Sequence, residues 1–293
     1  MSIIGSRKVR LLLVVLLLVQ AGCLSISRKR VIPQDQRPLP AKVATKEELF
    51  HDLEEKSKQI QTLQGNVTLD VSGGGETGVL TEYRQTKGYL FVERPGNIRV
   101  KVLAPVILTT VADMVSDGRQ YRVSIPIKNQ WTEGDASAPV SSKSPIASLR
   151  PQHFLDGLFV DISSYLQNPQ VKYEFNMQSE GRRSFYVFTF IDVSGAGREV
   201  RTLEKLWIDR NDDLEVSRKQ IFGQDGRIET DVEYSSYHKE SNVRYPQSVV
   251  ITRPVEDYTL KVTFQKTNIN DKLPDNVFTL QRPEGSELVQ IAQ

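Results

Sequence analysis

The sequence predicts a mainly β (α+β) protein: a single large curved antiparallel sheet forming an unclosed barrel, with an N-terminal helix and a short helical lid insertion. Three observations carry this. Within residues 88–126, four apolar or alternating runs (89–92, 98–103, 107–115 and 121–125) are separated by Arg94-Pro95-Gly96, Ala104-Pro105 and Ser116-Asp117-Gly118. Pro and Gly at those positions are turn chemistry, and Asp-Gly between β-type runs is a hairpin signal. From residue 171 onward, period-two runs at 171–177, 184–192, 201–209, 214–222, 227–237, 244–252, 259–267 and 278–281 are broken by polar and glycine-rich turns. Helical patterning is confined to two places, one before the sheet and one inside it.

Taken in order, the chain opens on Arg7, Lys8 and Arg10, nine unbroken apolar residues at 11–19, and then Ala21, Gly22 and Cys23. That is the layout of a secretory signal, too short to span a bilayer once cleaved. Cys23 is the only cysteine and cannot form an internal disulfide. Ala21-Gly22-Cys23 resembles a bacterial lipobox, whose Cys is acylated and becomes the mature N-terminus, although Gln20 stands where such a box usually has Leu. The other reading is an ordinary cleaved signal with an incidental Cys. By the same resemblance, Leu24 and Ser25 are not the Asp that holds a lipoprotein at the inner membrane, so an outer-membrane anchor on the periplasmic face is expected.

The expected organisation is a signal peptide over 1–22, a lipid anchor and flexible tether over 23–44, and one domain over 45–293. Loss of residues 1–22 removes three of the 38 basic residues and leaves 35 against 36 acidic ones, so charge carries no message about nucleic acid. Arg28-Lys29-Arg30 lies either against anionic headgroups or in a solvated tether.

Thr45 followed three residues later by Glu48 is a capping box. Leu49, Leu53, Lys56 and Ile60, with Phe50 alongside, continue an amphipathic helix of about four turns. Val67, Leu69 and Val71 then switch to period two, and Gly73-Gly74-Gly75 turns the chain. After a polar loop over 135–148, Pro151 stands at a first helical position, and Phe154, Leu155, Leu158 and Phe159 suggest short helices lying over one face of the sheet.

Catalytic patterns are not found in the sequence. His51, His153 and His238 lack ligand spacing, there is no Gly-x-Ser-x-Gly elbow, Cys23 has no partner histidine, and the triple glycine precedes a strand rather than a Lys-Ser helix start. No enzyme activity, cofactor or metal is expected. A curved sheet with an apolar concave side and a helical cover is expected to bind something hydrophobic.

Gly88-x-Leu90-x-Val92-x-Arg94-Pro95, Pro105, Val115-Ser116-Asp117-Gly118 and Pro126, with Val277-Phe278-Thr279-Leu280 leading to Pro283-Glu284-Gly285, together resemble the lipoprotein carrier and acceptor proteins of the bacterial Lol system, LolA and LolB. The resemblance covers most of residues 45–293, with residues 239–272 adding a hairpin and the long linker 24–44 also departing from the pattern. It implies a non-enzymatic, monomeric envelope protein that takes acyl chains of lipoproteins, or other lipids, into a hydrophobic cavity. It also implies that Arg94 latches the lid by bonding its backbone; the other reading is a strand-end Arg on Pro95. Val106, Ile107 and Leu108 form either an acyl- or membrane-contacting tip or a turn packed beneath the lid. The alternative function is an envelope signalling or scaffold lipoprotein that uses the same fold to bind a protein or peptide.

Overall fold

The computed structural model describes residues 30–74, 80–104, 108–136, 149–195, 199–240 and 242–289. The chain divides into two units, 1–38 and 39–293. In the first, the described residues contain one 3-10 turn, Gln34–Gln36. The second carries, among its described residues, a 3-10 turn at Pro126–Lys128 and three α-helices: α1 (Lys46–Gln59), α2 (Pro151–Leu158) and α3 (Ser163–Gln167). Its strands are β1 (Thr62–Gly74), β2 (Leu80–Glu93), β3 (Asn97–Leu103), β4 (Thr110–Ser116), β5 (Gln120–Ile125), β6 (Gln130–Asp135) and β7 (Val171–Glu180). They continue as β8 (Arg183–Gly195), β9 (Glu199–Asp209), β10 (Glu215–Phe222), β11 (Ile228–Glu240), β12 (Val243–Arg253), β13 (Tyr258–Ile269) and β14 (Glu287–Leu288).

All fourteen strands form one sheet in the order β14-β6-β5-β4-β3-β2-β1-β13-β12-β11-β10-β9-β8-β7. The sheet ends at β14 and β7 and does not close into a barrel. Neighbours are antiparallel except β14, which runs parallel to β6. β1 is central and alternates buried with half-buried residues along its length, as a period-two sequence must when one face is covered. The Asp-Gly turn forms as expected: Asp117 Oδ1 accepts the amides of Arg119 (2.9 Å) and Gln120 (2.8 Å). Gly118 supplies the positive φ of 86°.

Curvature follows from the covering helix. α2 lies against β12 on one side and β3 and β4 on the other, although β3 and β12 are four places apart in the sheet. Flat, they would be about 19 Å apart at roughly 4.8 Å per strand, wider than a helix of about 10–12 Å. The sheet must bend to touch α2 from both sides. Leu49 and Leu53 of α1, Phe154, Leu155 and Leu158 of α2, and Ile162 join the inward residues of the strands in one hydrophobic core. Full burial of such side chains contributes roughly 1.5–3 kcal/mol each. A smaller cluster, Phe185, Val187 and Trp207, forms separately.

Two local expectations need revision. Residues 278–281 are not a strand. Arg99, facing away from the core, pairs with Asp113 (2.7 Å) and donates to the carbonyls of Val277 (2.7 Å) and Thr279 (3.5 Å), so a side chain takes carbonyls that a neighbouring strand would need. The last strand is the two-residue β14 instead. In addition, residues 39–44 are bonded to the sheet ahead of the capping box. The Leu39 amide donates to the Arg182 carbonyl (3.1 Å), the Lys42 amide to Arg210 (2.7 Å) and the Ala44 amide to the Tyr186 hydroxyl (3.1 Å).

Candidate functional site

The candidate site is the covered face of the sheet, where two helical elements lie side by side. α1 starts with the expected capping box: the Glu48 amide donates to Thr45 Oγ1 (3.2 Å) and the Thr45 amide to Glu48 Oε2 (2.7 Å). Phe50 stacks on Phe188 with centroids 4.6 Å apart and meets Tyr173 edge-on at 4.9 Å. At the other end, the carbonyls that a helix terminus leaves free are met by side chains. Ser57 is met by Arg94, Lys58 by Gln61 (2.8 Å) and Gln59 by Asn270 (2.6 Å).

α2 is built differently. Pro151 occupies its first turn as expected, but its N-cap, Arg150, makes no capping side-chain bond. Its underside is apolar and buried: Phe154 is 1% exposed, Leu155 7% and Leu158 3%, while Phe159 packs against the core partly buried. Gly157 sits directly on Ile251, and a Cβ there would collide with that side chain. The chain thus crosses β12 at the closest approach glycine permits.

Polar side chains fasten this segment to the sheet. Lys219 of β10, itself 4% exposed, donates to the carbonyls of Asp156 and Phe159, the latter at 2.7 Å. The Tyr165 hydroxyl of α3 meets Glu204 Oε2 at 3.3 Å. Burial pushes the Glu204 carboxyl up to about 7, and the nearby Lys219 charge offsets part of the rise. His153 meets the Tyr258 hydroxyl. Burial, with the charges of Arg253 and Arg150, drives its imidazole down to about 3, so the ring is neutral.

Arg94 reaches two elements at once. It donates to the Ser57 carbonyl of α1 and to Asp161 Oδ2 between α2 and α3 (2.5 Å), and it lies over the Phe159 ring at 5.4 Å. Asp161 is pre-set for this, because its other oxygen accepts the Ser163 amide (3.0 Å). Burial raises the Asp161 carboxyl, but the Ser163 and Arg94 bonds outweigh it and hold the group below its ordinary value. The resemblance pointed to a bond from Arg94 to the lid backbone. The backbone donor is Lys219, which sequence reasoning missed, and Arg94 instead links α1 to the Asp161 side chain.

Between the C-terminal ends of α1 and α2 and strands β10 to β12 lies a cavity of about 80 Å³. Beneath α2 the core is filled by the segment's own side chains. Ligand pockets usually measure about 300–1,000 Å³, so the cavity has room for a small group and not for an acyl chain.

At the β3–β4 turn, Leu108 is 53% exposed with a φ of 53°, while Val106 and Ile107 lie outside the described residues, as does Cys23. Among the described residues no group of three or more His, Cys, Asp or Glu is placed to hold a metal, and no helix is long and apolar enough to cross a membrane.

No family model matches the chain, and no curated protein matches its sequence. Solved structures do match. A DUF1329 family protein from Desulfovibrio piger superposes with a TM-score of 0.52 at 13% identity, covering 79% of this chain and 95% of that one. A LolA superfamily protein from Nitrosomonas europaea gives 0.49 at 12% identity over 81% of this chain and 99% of that one. A protein domain assigned to outer-membrane lipoprotein sorting, from Vibrio parahaemolyticus, gives 0.49 at 8% identity over 79% and 94%. At these identities the likeness concerns the fold alone.

Proposed function

We propose that the protein is a non-enzymatic, lipid-anchored envelope protein that takes acyl chains of lipoproteins, or of other lipids, onto the covered face of its sheet. In this reading the 149–167 segment is a lid, Cys23 carries the anchor at the outer membrane, and Leu108 with Val106 and Ile107 touches lipid. One observation supports the reading above the others: an apolar sheet face is sealed by an eight-residue helix fastened through charged side chains. Such fastenings can be exchanged for water, whereas the apolar side chains beneath the helix belong to the core and need an apolar replacement when they leave it.

Opening would withdraw Phe154, Leu155 and Leu158 and free the volume they fill. An acyl chain would replace them, gaining about 0.8 kcal/mol per buried CH₂. No bond is made or broken. Arg94 acts as the latch, because it holds the closed form through Asp161 and Ser57.

The test is binding of a fluorescent acyl-chain probe to wild type and to Arg94→Leu. Arg94 and Asp161 are partly exposed, with side-chain exposures of 18% and 36%, so the ion pair is discounted to about 1 kcal/mol or less. Its loss raises the open fraction and tightens apparent binding up to about fivefold. A wild type that binds no acyl probe, with its interior remaining filled, rejects the carrier reading.

The filled interior favours a second reading, in which the same fold binds a protein or peptide. The open edge at β7, where Tyr173 is 41% and Met177 64% exposed, is the place for it. Tight binding of a protein without an acyl group, unchanged by Arg94→Leu, selects this reading.

A further inference from the structure

The cavity at the mouth of the covered face has an uneven lining. Leu158 and Phe159 of the covering segment and Leu53 and Ile60 at the end of α1 make its upper wall apolar. The rest of the lining, Lys56 of α1 included, is largely tyrosine and charge. Lys56 pairs with Glu215 (2.9 Å) and Asp52 (2.9 Å), and Arg244 with Glu215 (2.9 Å) and Asp213 (3.0 Å). Carboxylates surround both cations, although Arg244 Nε, 2.9 Å from Glu215, makes no hydrogen bond to it and is left as a buried donor. Three tyrosines line the same space. Tyr237 donates its hydroxyl to the Val216 carbonyl at 2.8 Å. The hydroxyls of Tyr234 and Tyr245 are buried and have no hydrogen-bond partner among the described residues, in residues 6% and 3% exposed. Buried polar groups are nearly always paired, so orphaned donors gathered in residues that line one cavity are unmet hydrogen-bonding capacity, although neither hydroxyl oxygen presents open surface to it in this structure, so an occupant reaches them only as the cover shifts.

We propose that this cavity is a recognition subsite for the uncharged carbonyl of an acyl ester, with the Tyr234 and Tyr245 hydroxyls as its donors. The inference rests on the carrier reading and deepens it. A space of about 80 Å³ exceeds the roughly 10–15 Å³ a single water needs and fits the polar junction of a lipid. The chain attached to that junction would run under the lid past Leu158. Arg94 stands at the same mouth, because Ser57 and Phe159, which it touches, both line the cavity. Asp52, Asp212, Asp213 and Glu215 outnumber Lys56 and Arg244 and so select against phosphate and free carboxylate, and the neutral hydroxyl donors select for ester over ether.

The test uses the full chain in dodecyl maltoside with a pyrene-labelled monoacylglycerol and its alkyl-ether counterpart. They differ by one carbonyl, and energy transfer from the protein's two tryptophans reports binding. Wild type is expected to prefer the ester about tenfold, the effect of one to two hydrogen bonds. Tyr234→Phe with Tyr245→Phe abolishes the preference while leaving ether binding unchanged. Each change removes an unpaired buried hydroxyl, so the variant folds with an equal or higher Tm. Tyr237→Phe keeps the preference. Displacement of the ester probe by a diacylglyceryl-cysteinyl peptide but not by free diacylglycerol identifies a lipid-modified protein as the source; displacement by both identifies lipids generally; displacement by neither overturns the subsite. Equal binding of the two probes to wild type, as when the hydroxyls only hold water, also overturns it while leaving the carrier reading intact. Failure of wild type to bind either probe rejects the carrier reading itself.

Discussion

Two helical elements cover the same sheet face by opposite means. α1 has a complete capping box, aromatic stacking against β8 and β7, and partners for its final carbonyls. α2 is eight residues long, lacks a side-chain cap, and depends on Lys219, on Arg94 through Asp161, and on the His153–Tyr258 contact. A helix this short has little stability of its own. The difference separates a helix capped at both ends from a short one that is held by its apolar underside in the core and by a few polar contacts.

The largest expected effect lies on the side of α1. Phe188→Ala removes the ring against which Phe50 stacks and is expected to cost about 3–5 kcal/mol. Chemical denaturation should show it as a loss of the whole unit's stability. If instead only residues 149–167 gained hydrogen exchange, the comparison would fail.

On the other side, Lys219→Met strands the Asp156 and Phe159 carbonyls. About 1–3 kcal/mol is expected for a buried group left unpaired. The loss should appear as faster amide exchange in α2 and α3 while α1 keeps its protection.

Titration separates the polar contacts further. Glu204 holds its proton up to about 7, against an ordinary 4.5. Its contribution is complete below 4.5 and is lost as pH rises towards 7. His153 stays neutral down to about 3, against 6.5. Its contribution is complete above 6.5 and is lost as pH falls. Between pH 4.5 and 6.5 these two slopes oppose, each at most about 1.4 kcal/mol per pH unit, so they largely cancel there, while Glu215, also raised by burial, adds to the falling slope. Glu204→Gln should make the slope of stability with pH more positive than wild type across that window. A Glu204→Gln profile parallel to wild type would separate Glu204 from the cover.

The smallest effect is local to α1. Thr45→Ala deletes the cap bond to the Glu48 amide, at a cost of about 1 kcal/mol. Fraying should stop within the first turn, because Leu49, Leu53 and Phe50 remain anchored.

The capping box at Thr45 and the Asp117-Gly118 turn were readable from the sequence because each rests on neighbouring residues and short-range bonds. The apolar underside at Phe154, Leu155 and Leu158 was readable for the same reason. Lys219 was not. Val216 faces the core, so strict alternation would turn Lys219 outward. A bulge at Ser217 shifts the pairing with β9 between Val216 and Arg218 and reverses the parity. Lys219 therefore lies opposite Leu206 and faces in, while Arg218 lies 5.1 Å over Trp207. A periodicity count cannot see one inserted residue until the partner strand is known.

By itself the sequence determined the elements: strands from period two, α1 from its cap and spacing, and the short cover from Pro151 and its apolar residues. These are short-range properties, settled within a turn of helix or a few residues of strand. Only the tertiary structure decided that Ser57, Arg94 and Asp161 meet, that Lys219 reaches the carbonyls of α2, and that Tyr234 and Tyr245 share one cavity. These groups come from distant parts of the chain. Strand register and the bend of the sheet bring them together, and both are properties of strands pairing with one another.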